Sequence, residues 1–102
     1  MVAPAFQPPE PEHIRSFCER WKVRELSVFG SVLTGRAAAS SDVDVLVTLA
    51  SDVERDWDLW PAMQADLEAI FGRRVDLVER ERLSNPFRRY EILRTRRVLY
   101  AA

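Results

Sequence analysis

The sequence predicts an α/β (α+β) fold in which helices pack on one small β-sheet. The chain has 102 residues, which is the size of one ordinary domain. Helical and strand patterns alternate in the order α, β, short α, β, α, β, α, β, and this alternation is typical of helices packed on a sheet. We therefore expect a single domain at residues 10–102, preceded by a flexible, proline-rich arm at residues 1–9.

Composition and charge exclude several classes of protein. Hydrophobic residues make up 47 % of the chain and aromatic residues 10 %, which is typical of a folded protein and not of a disordered or collagenous one. Fifteen Lys and Arg oppose sixteen Asp and Glu, so bulk nucleic-acid binding is not expected. No uncharged stretch approaches the roughly 20 residues of a membrane span. The single cysteine, Cys18, cannot form an intrachain disulfide, and the expected location is the cytoplasm.

The first third of the chain predicts a helix, a strand and a helical turn. Apolar residues recur at helical spacing within residues 10–23, namely Ile14, Phe17, Cys18 and Trp21. Such a stripe is typical of an amphipathic helix. Apolar and polar residues then alternate before Gly30, which predicts a strand over residues 24–29. The small and polar residues 31–41 are expected to form one helical turn and a loop.

The middle of the chain predicts the central strand and the main helix. Residues 43–49 are apolar at almost every position, which is the pattern of a strand covered on both faces. Apolar residues next repeat with a helical period up to Gly72, a suitable helix end: Trp60, Met63, Leu67, Ile70 and Phe71. Val75 and Leu77 predict a third strand around Asp76.

The last quarter predicts a helix and an edge strand. Asn85 followed by Pro86 is a helix start signal, and residues 98–100 are expected to return as the edge strand. The apolar side of the helix is expected to carry Phe87, Tyr90 and Leu93. Five arginines make this segment basic, either as a solvated helix face or as a docking patch for an acidic partner or the nucleotide: Arg88, Arg89, Arg94, Arg96 and Arg97.

A glycine and a serine follow the first predicted strand directly. Before a helical turn, Gly30 and Ser31 allow backbone N–H groups and a hydroxyl to converge on an anion, usually a phosphate. An isolated Gly-Ser pair is more often an ordinary tight turn. The pair therefore becomes informative only together with the residues that follow it.

Three aspartates lie on or beside two predicted strands. Asp42 and Asp44 are two residues apart, so both side chains point to one face of the strand, with Cβ atoms about 6.5–7 Å apart. Such a pair repels without a cation, and hard carboxylate oxygens select Mg²⁺, which shares its coordination shell with substrate phosphates. Asp76 places a charge in the middle of a strand, which is costly without a partner. If the two strands are neighbours, three carboxylates can hold two metal ions for displacement at phosphorus.

Several other polar and aromatic residues have structural interpretations. Asp56 and Asp58 form a second Asp-x-Asp pair, but no phosphate-type turn precedes it, so we expect a helix cap. His13 is expected to be exposed. At least one of Trp57 and Trp60 is expected to pack, while an exposed tryptophan could belong to a partner surface.

The ordered motif resembles the nucleotidyltransferase superfamily related to DNA polymerase β. It consists of Gly30-Ser31, ten intervening residues, Asp42-Val43-Asp44 and a strand aspartate, Asp76, 32 residues later. The length and the C-terminal tail more closely resemble the minimal nucleotidyltransferases, or MNT proteins, encoded beside HEPN-domain partners in prokaryotes. The resemblance spans about residues 10–100.

This resemblance implies a nucleotidyltransferase fold with a small mixed sheet, and an antitoxin that transfers AMP from ATP to a tyrosine of a HEPN toxin. It implies that Gly30 and Ser31 hold the nucleoside triphosphate. It also implies that Asp42 and Asp44 bind Mg²⁺, with two ions expected, while Asp76 completes the site and helps to activate the acceptor.

One position departs from the family pattern. The family often has an arginine just before the second glycine, where this chain has Thr34. Arg36 is the candidate to replace that arginine as a nucleotide contact. Two rival hypotheses remain open: an antitoxin that acts by binding alone, and an enzyme that modifies a small molecule, which normally needs an additional domain.

Overall fold

The computed structural model describes residues 6–34 and 42–102. Within these ranges every predicted element is present, with bounds that agree with the sequence patterns to within two residues. The helices are α1 (Pro11–Trp21), α2 (Ser31–Thr34), α3 (Leu59–Phe71) and α4 (Pro86–Thr95). The strands are β1 (Val23–Phe29), β2 (Val43–Leu49), β3 (Val75–Glu79) and β4 (Arg97–Ala101), and a 3₁₀ helix (Arg80–Arg82) follows β3.

The four strands form one mixed sheet in the order β3-β2-β1-β4. Strand β2 pairs antiparallel with β1 and parallel with β3, which confirms its predicted central position. Strand β4 pairs antiparallel with β1 at the edge, also as predicted. The register places Asp44 opposite Asp76 on one side and opposite Phe29 on the other. The sheet therefore brings the β1–α2 turn and two aspartates together.

Alternate residues of β2 pack into two different cores. Its odd-numbered residues, Val43, Val45, Val47 and Leu49, belong to the main core with α1 and α3. Leu46 faces the other side, where it packs with Phe29, Leu83 and Ile92. Because side chains alternate along a strand, Asp44 lies on this second side, which α4 covers.

The apolar face predicted for α4 is wrong in two of its three residues. Phe87 is 85 % exposed and Tyr90 67 % exposed, whereas Ile92 is buried, and Leu93 packs beside it. On the side of α4 that faces the sheet, the Nη1 of Arg89 donates a hydrogen bond to the Arg80 carbonyl. Two sets of apolar residues in α4 have helical spacing. Packing against the sheet buries the set that contains Ile92.

The ends of the helices mostly follow their sequence signals. Gly72 ends α3 with φ +70°, and the Asn85 side chain caps α4 by accepting hydrogen bonds from two backbone N–H groups. Asp58 is the N-cap residue of α3, but its side chain makes no capping hydrogen bond. Trp60 packs against the main core, whereas Trp57 is 96 % exposed.

The N-terminal arm remains a prediction, because residues 1–5 lie outside the described part of the chain. The ring of Phe6 stacks on Phe71 of α3, with centroids 6.4 Å apart. Among the described helices, none is long and apolar enough to cross a membrane.

Ser27, in the middle of β1, is fully buried, and its Oγ has no hydrogen-bond partner among the described residues. Burying a hydroxyl without a partner costs free energy. We expect Ser27→Ala to raise the free energy of unfolding by about 1 kcal/mol, measured by urea denaturation. A lower stability instead would show that this hydroxyl is hydrogen-bonded in solution, for example to a buried water.

Candidate active site

Asp44 and Asp76 lie opposite each other on the parallel strands β2 and β3, and their carboxyl groups interact. Burial raises the pKa of Asp44, and the interaction with Asp76 and the negative charge of Asp42 raise it further. This is the pattern of a like-charge pair that is held together before a cation arrives.

Asp76 is exposed, and so is Asp42. Asp76 lies within β3 between Val75 and Leu77, as predicted, but its exposure makes the charge less costly than the sequence indicated. Strand β3 is an edge of the sheet, so a mid-strand side chain there can face solvent. Asp44 is the more enclosed member of the group, because β2 lies between two strands.

Within residues 6–34 and 42–102, no group of three or more His, Cys, Asp or Glu side chains is arranged to hold a metal ion. Asp44 and Asp76 are in contact, while Asp42 acts on them through its charge. Mg²⁺ usually takes one or two carboxylates and completes its shell with water and substrate phosphates. The carboxylate pair fits such an ion, and a three-carboxylate site stays a prediction.

Gly30 lies against the Asp44 carboxylate. Its φ is +82°, and a Cβ built on it would overlap with Asp44 Oδ2 and lie 3.3 Å from Cγ. Only a residue without a side chain lets the β1–α2 turn pass so close to the aspartate. Ser31 begins α2 directly after it and is exposed. Gly30-Ser31 and Asp44 are therefore neighbours in space, as the motif requires.

The charge of Arg88 also reaches this site, where it partly offsets the rise in the Asp44 pKa. In the sequence, Arg88 is only one of five arginines in a basic segment, and no local pattern distinguishes it from the others. Arg36, the predicted substitute for a family arginine, lies outside the described residues.

Two of the cavities in the described part of the chain adjoin strands of the sheet. A groove of about 240 Å³ runs between α2 and α4, beside Gly30, and is lined by Phe29, Leu33, Ile92 and Thr95 among others. A cleft of about 440 Å³ lies at the far end of β3, with Trp57, Trp60 and Glu79 among its lining residues. We assign the active site to the carboxylates, since the groups able to perform chemistry converge there.

Comparisons with known proteins agree with this geometry. The model of the nucleotidyltransferase domain family matches residues 10–99. The protein adenylyltransferase MntA of Thermococcus cleftensis is 41 % identical over 75 residues, which cover 72 % of this chain and 72 % of the relative.

Solved structures give the same fold. A structure described as a minimal nucleotidyltransferase has a TM-score of 0.69 and 33 % identity, over 85 % of this chain and 86 % of the other. A Shewanella oneidensis complex of a tri-AMPylated HEPN toxin with an MNT antitoxin has a TM-score of 0.62 and 19 % identity, over 90 % of this chain and 70 % of the other. The family match, the MntA similarity and the shared fold together establish that this chain belongs to the nucleotidyltransferase domain family.

Proposed function

We propose that this nucleotidyltransferase acts in the cytoplasm, transfers AMP from ATP to a tyrosine hydroxyl of a HEPN-domain partner, and is that partner's antitoxin. The neighbouring carboxylates of Asp44 and Asp76 beside Gly30 carry the proposal. Similarity to the adenylyltransferase MntA supports the transferred group, and the AMPylated HEPN toxin bound to an MNT antitoxin supports the partner.

Gly30 and Ser31 bind the triphosphate in this proposal. The missing side chain of Gly30 lets phosphate oxygens approach the backbone, and the exposed Ser31 offers its N–H and hydroxyl. The Thr34 hydroxyl already donates to the Ser31 carbonyl at 2.9 Å, which stabilises this single helical turn.

Mg²⁺ would be held by Asp44 and Asp76, with Asp42 as a further ligand. When bound, the ion neutralises the phosphate charge and stabilises the leaving pyrophosphate. Asp44 and Asp76 lie near the beginning of the parallel strands β2 and β3, where the triphosphate and its ion would bind. They also supply a carboxylate that accepts the proton of the acceptor hydroxyl.

The transfer step is an in-line displacement at the α-phosphorus. The phenolic oxygen of the acceptor forms a new P–O bond, and the bond between the α-phosphorus and the bridging oxygen breaks. Pyrophosphate leaves with that electron pair. The phenolic proton passes to the exposed carboxylate of Asp76, which acts as the general base.

Mass spectrometry tests the proposal directly. The chain is incubated with ATP, Mg²⁺ and the HEPN-domain protein encoded beside its gene, and both proteins are then weighed. We expect the partner to gain one or more AMP units. A partner that is bound and inhibited without any gain in mass would establish the rival hypothesis, an antitoxin that acts by binding alone.

Ser31→Ala should weaken ATP binding by roughly ten- to a hundredfold, because a hydrogen bond to a charged group contributes about 1.5–3 kcal/mol. Calorimetry with ATP and with AMP measures the effect, and the loss should be larger for ATP. The exposed Ser51 lies beyond the opposite end of β2, so Ser51→Ala is the matched control. Equal losses for both nucleotides would contradict a phosphate contact at Ser31.

A further inference from the structure

Helix α4 exposes two large aromatic side chains that contribute little to the core. Phe87 is 85 % exposed and Tyr90 67 % exposed. They are three residues apart, so they lie on the same side of the helix, and we call them the aromatic face of α4. The inner side of the helix is already occupied by Ile92, which is buried. Exposed aromatic side chains of this kind are frequent anchors of protein interfaces.

The aromatic face begins beside the active site. Arg88 lies between its two residues in sequence, and the groove beside Gly30 is also lined by Glu91 and Ile92 of α4. The Oδ1 of Asn85 accepts hydrogen bonds from the backbone N–H groups of Phe87 and Arg88, at 3.0 and 3.2 Å. These two bonds hold the first turn of α4 in place. A protein that brings an acceptor hydroxyl to Asp44 therefore comes close to α4.

The arginines beside the aromatic face differ in whether they form ion pairs. Arg94 and Arg96 are neutralised within the chain, by Glu91 at 2.8 Å and by Glu25 at 3.2 Å. Arg88 forms no ion pair with any of the described residues. An aromatic surface beside an arginine that lies outside these ion pairs fits a partner segment that carries apolar and acidic side chains.

We propose that the aromatic face of α4 docks the acceptor segment of the partner protein, with apolar side chains on Phe87 and Tyr90 and a carboxylate on Arg88. The proposal rests on the proposed function, since it assumes a protein acceptor. A stacked nucleobase is the less suitable occupant, because small ligands bind in concave sites. The outer side of a helix is convex and suits a protein surface.

The test compares Phe87→Ala/Tyr90→Ala with Trp57→Ala. Trp57 is an equally exposed aromatic residue, 96 % accessible, but it lines the cleft at the other end of β3. Circular dichroism confirms that each variant is folded. We expect the double variant to bind the HEPN-domain partner roughly 10- to 100-fold more weakly without nucleotide, and to raise the KM for that partner. The ATP affinity of the double variant should stay at the wild-type value. The partner affinity, KM and ATP affinity of Trp57→Ala should also stay at wild-type values.

Each other outcome has a definite meaning. Wild-type partner affinity in the double variant overturns the proposal, and so does a parallel loss of ATP affinity, which would indicate a nucleobase on this face. A loss of partner binding in Trp57→Ala alone would place the interface at the cleft. If the wild type binds the partner but transfers no AMP, the proposed function fails while the binding comparison still decides the docking surface. A wild type that does not bind the partner overturns both.

Discussion

Asp44→Asn is expected to abolish AMP transfer and, at the same time, to stabilise the metal-free protein. Asparagine keeps the shape of the side chain but cannot supply the negative charge that holds Mg²⁺, so the rate should fall by about 10³-fold or more. The stability gain has a separate origin, the repulsion between Asp44 and its neighbours Asp76 and Asp42. Transfer is measured by mass gain of the partner, and stability by the Tm without Mg²⁺.

The stability gain should depend on pH in a defined direction. Burial and neighbouring charges raise the pKa of Asp44 above its ordinary value of 3.8. Between the unfolded and the folded pKa the native state binds more protons than the unfolded state, so stability falls as pH rises through this window. The asparagine variant does not lose stability in this way as the pH rises. Its higher Tm should therefore appear above the folded pKa and vanish below the unfolded one.

Asp52→Asn is the control for this prediction. Asp52 is exposed and, among the described residues, forms an ion pair with the exposed Lys22, at 3.3 Å. Such a surface pair contributes little stability. We expect a small change in Tm and wild-type transfer. With Mg²⁺ and ATP added, the wild type should gain more stability than Asp44→Asn, because a ligand stabilises the state that binds it. A destabilised, inactive Asp44→Asn would instead assign a structural role to this carboxylate.

Gly30→Ala should have the second large effect, a loss of transfer by about 10²-fold or more, since misplacing a catalytic group by about 1 Å is sufficient for such a loss. The new Cβ overlaps with Asp44 Oδ2. The carboxylate is the far end of a rotatable side chain, so it moves aside and leaves its position next to Asp76. The activity should fall much more than the stability.

Gly72→Ala separates the effect of the left-handed backbone from the effect of the overlap with Asp44. Gly72 has a similar φ of +70°, but nothing lies within 4 Å of a Cβ built there. Both alanine variants should therefore lose about 1–2 kcal/mol of unfolding free energy through their left-handed backbone, while only Gly30→Ala loses transfer activity. Equal activities in the two variants would show that the Gly30 turn has no part in placing Asp44.

Local signals in the sequence were sufficient for the helices and strands. The apolar run of residues 43–49 predicted the central strand, Gly72 predicted the end of α3, and the pair Asn85-Pro86 predicted the start of α4. These signals depend on backbone propensities and on burial periodicity, which act over a few residues. The inner face of α4 was predicted wrongly at Phe87 and Tyr90, because a helix with two possible apolar stripes is oriented by what it packs against.

The sequence by itself also determined which residues carry the chemistry, since the order of Gly30-Ser31, Asp42-Val43-Asp44 and Asp76 is written in the chain. Only the tertiary structure decided how they meet. Parallel pairing of β2 with β3 sets Asp44 opposite Asp76, and the antiparallel register with β1 brings Gly30 to the same carboxylate. The contribution of Arg88 depends on where α4 crosses the sheet. Such contacts join residues far apart in sequence, so no local pattern encodes their distances.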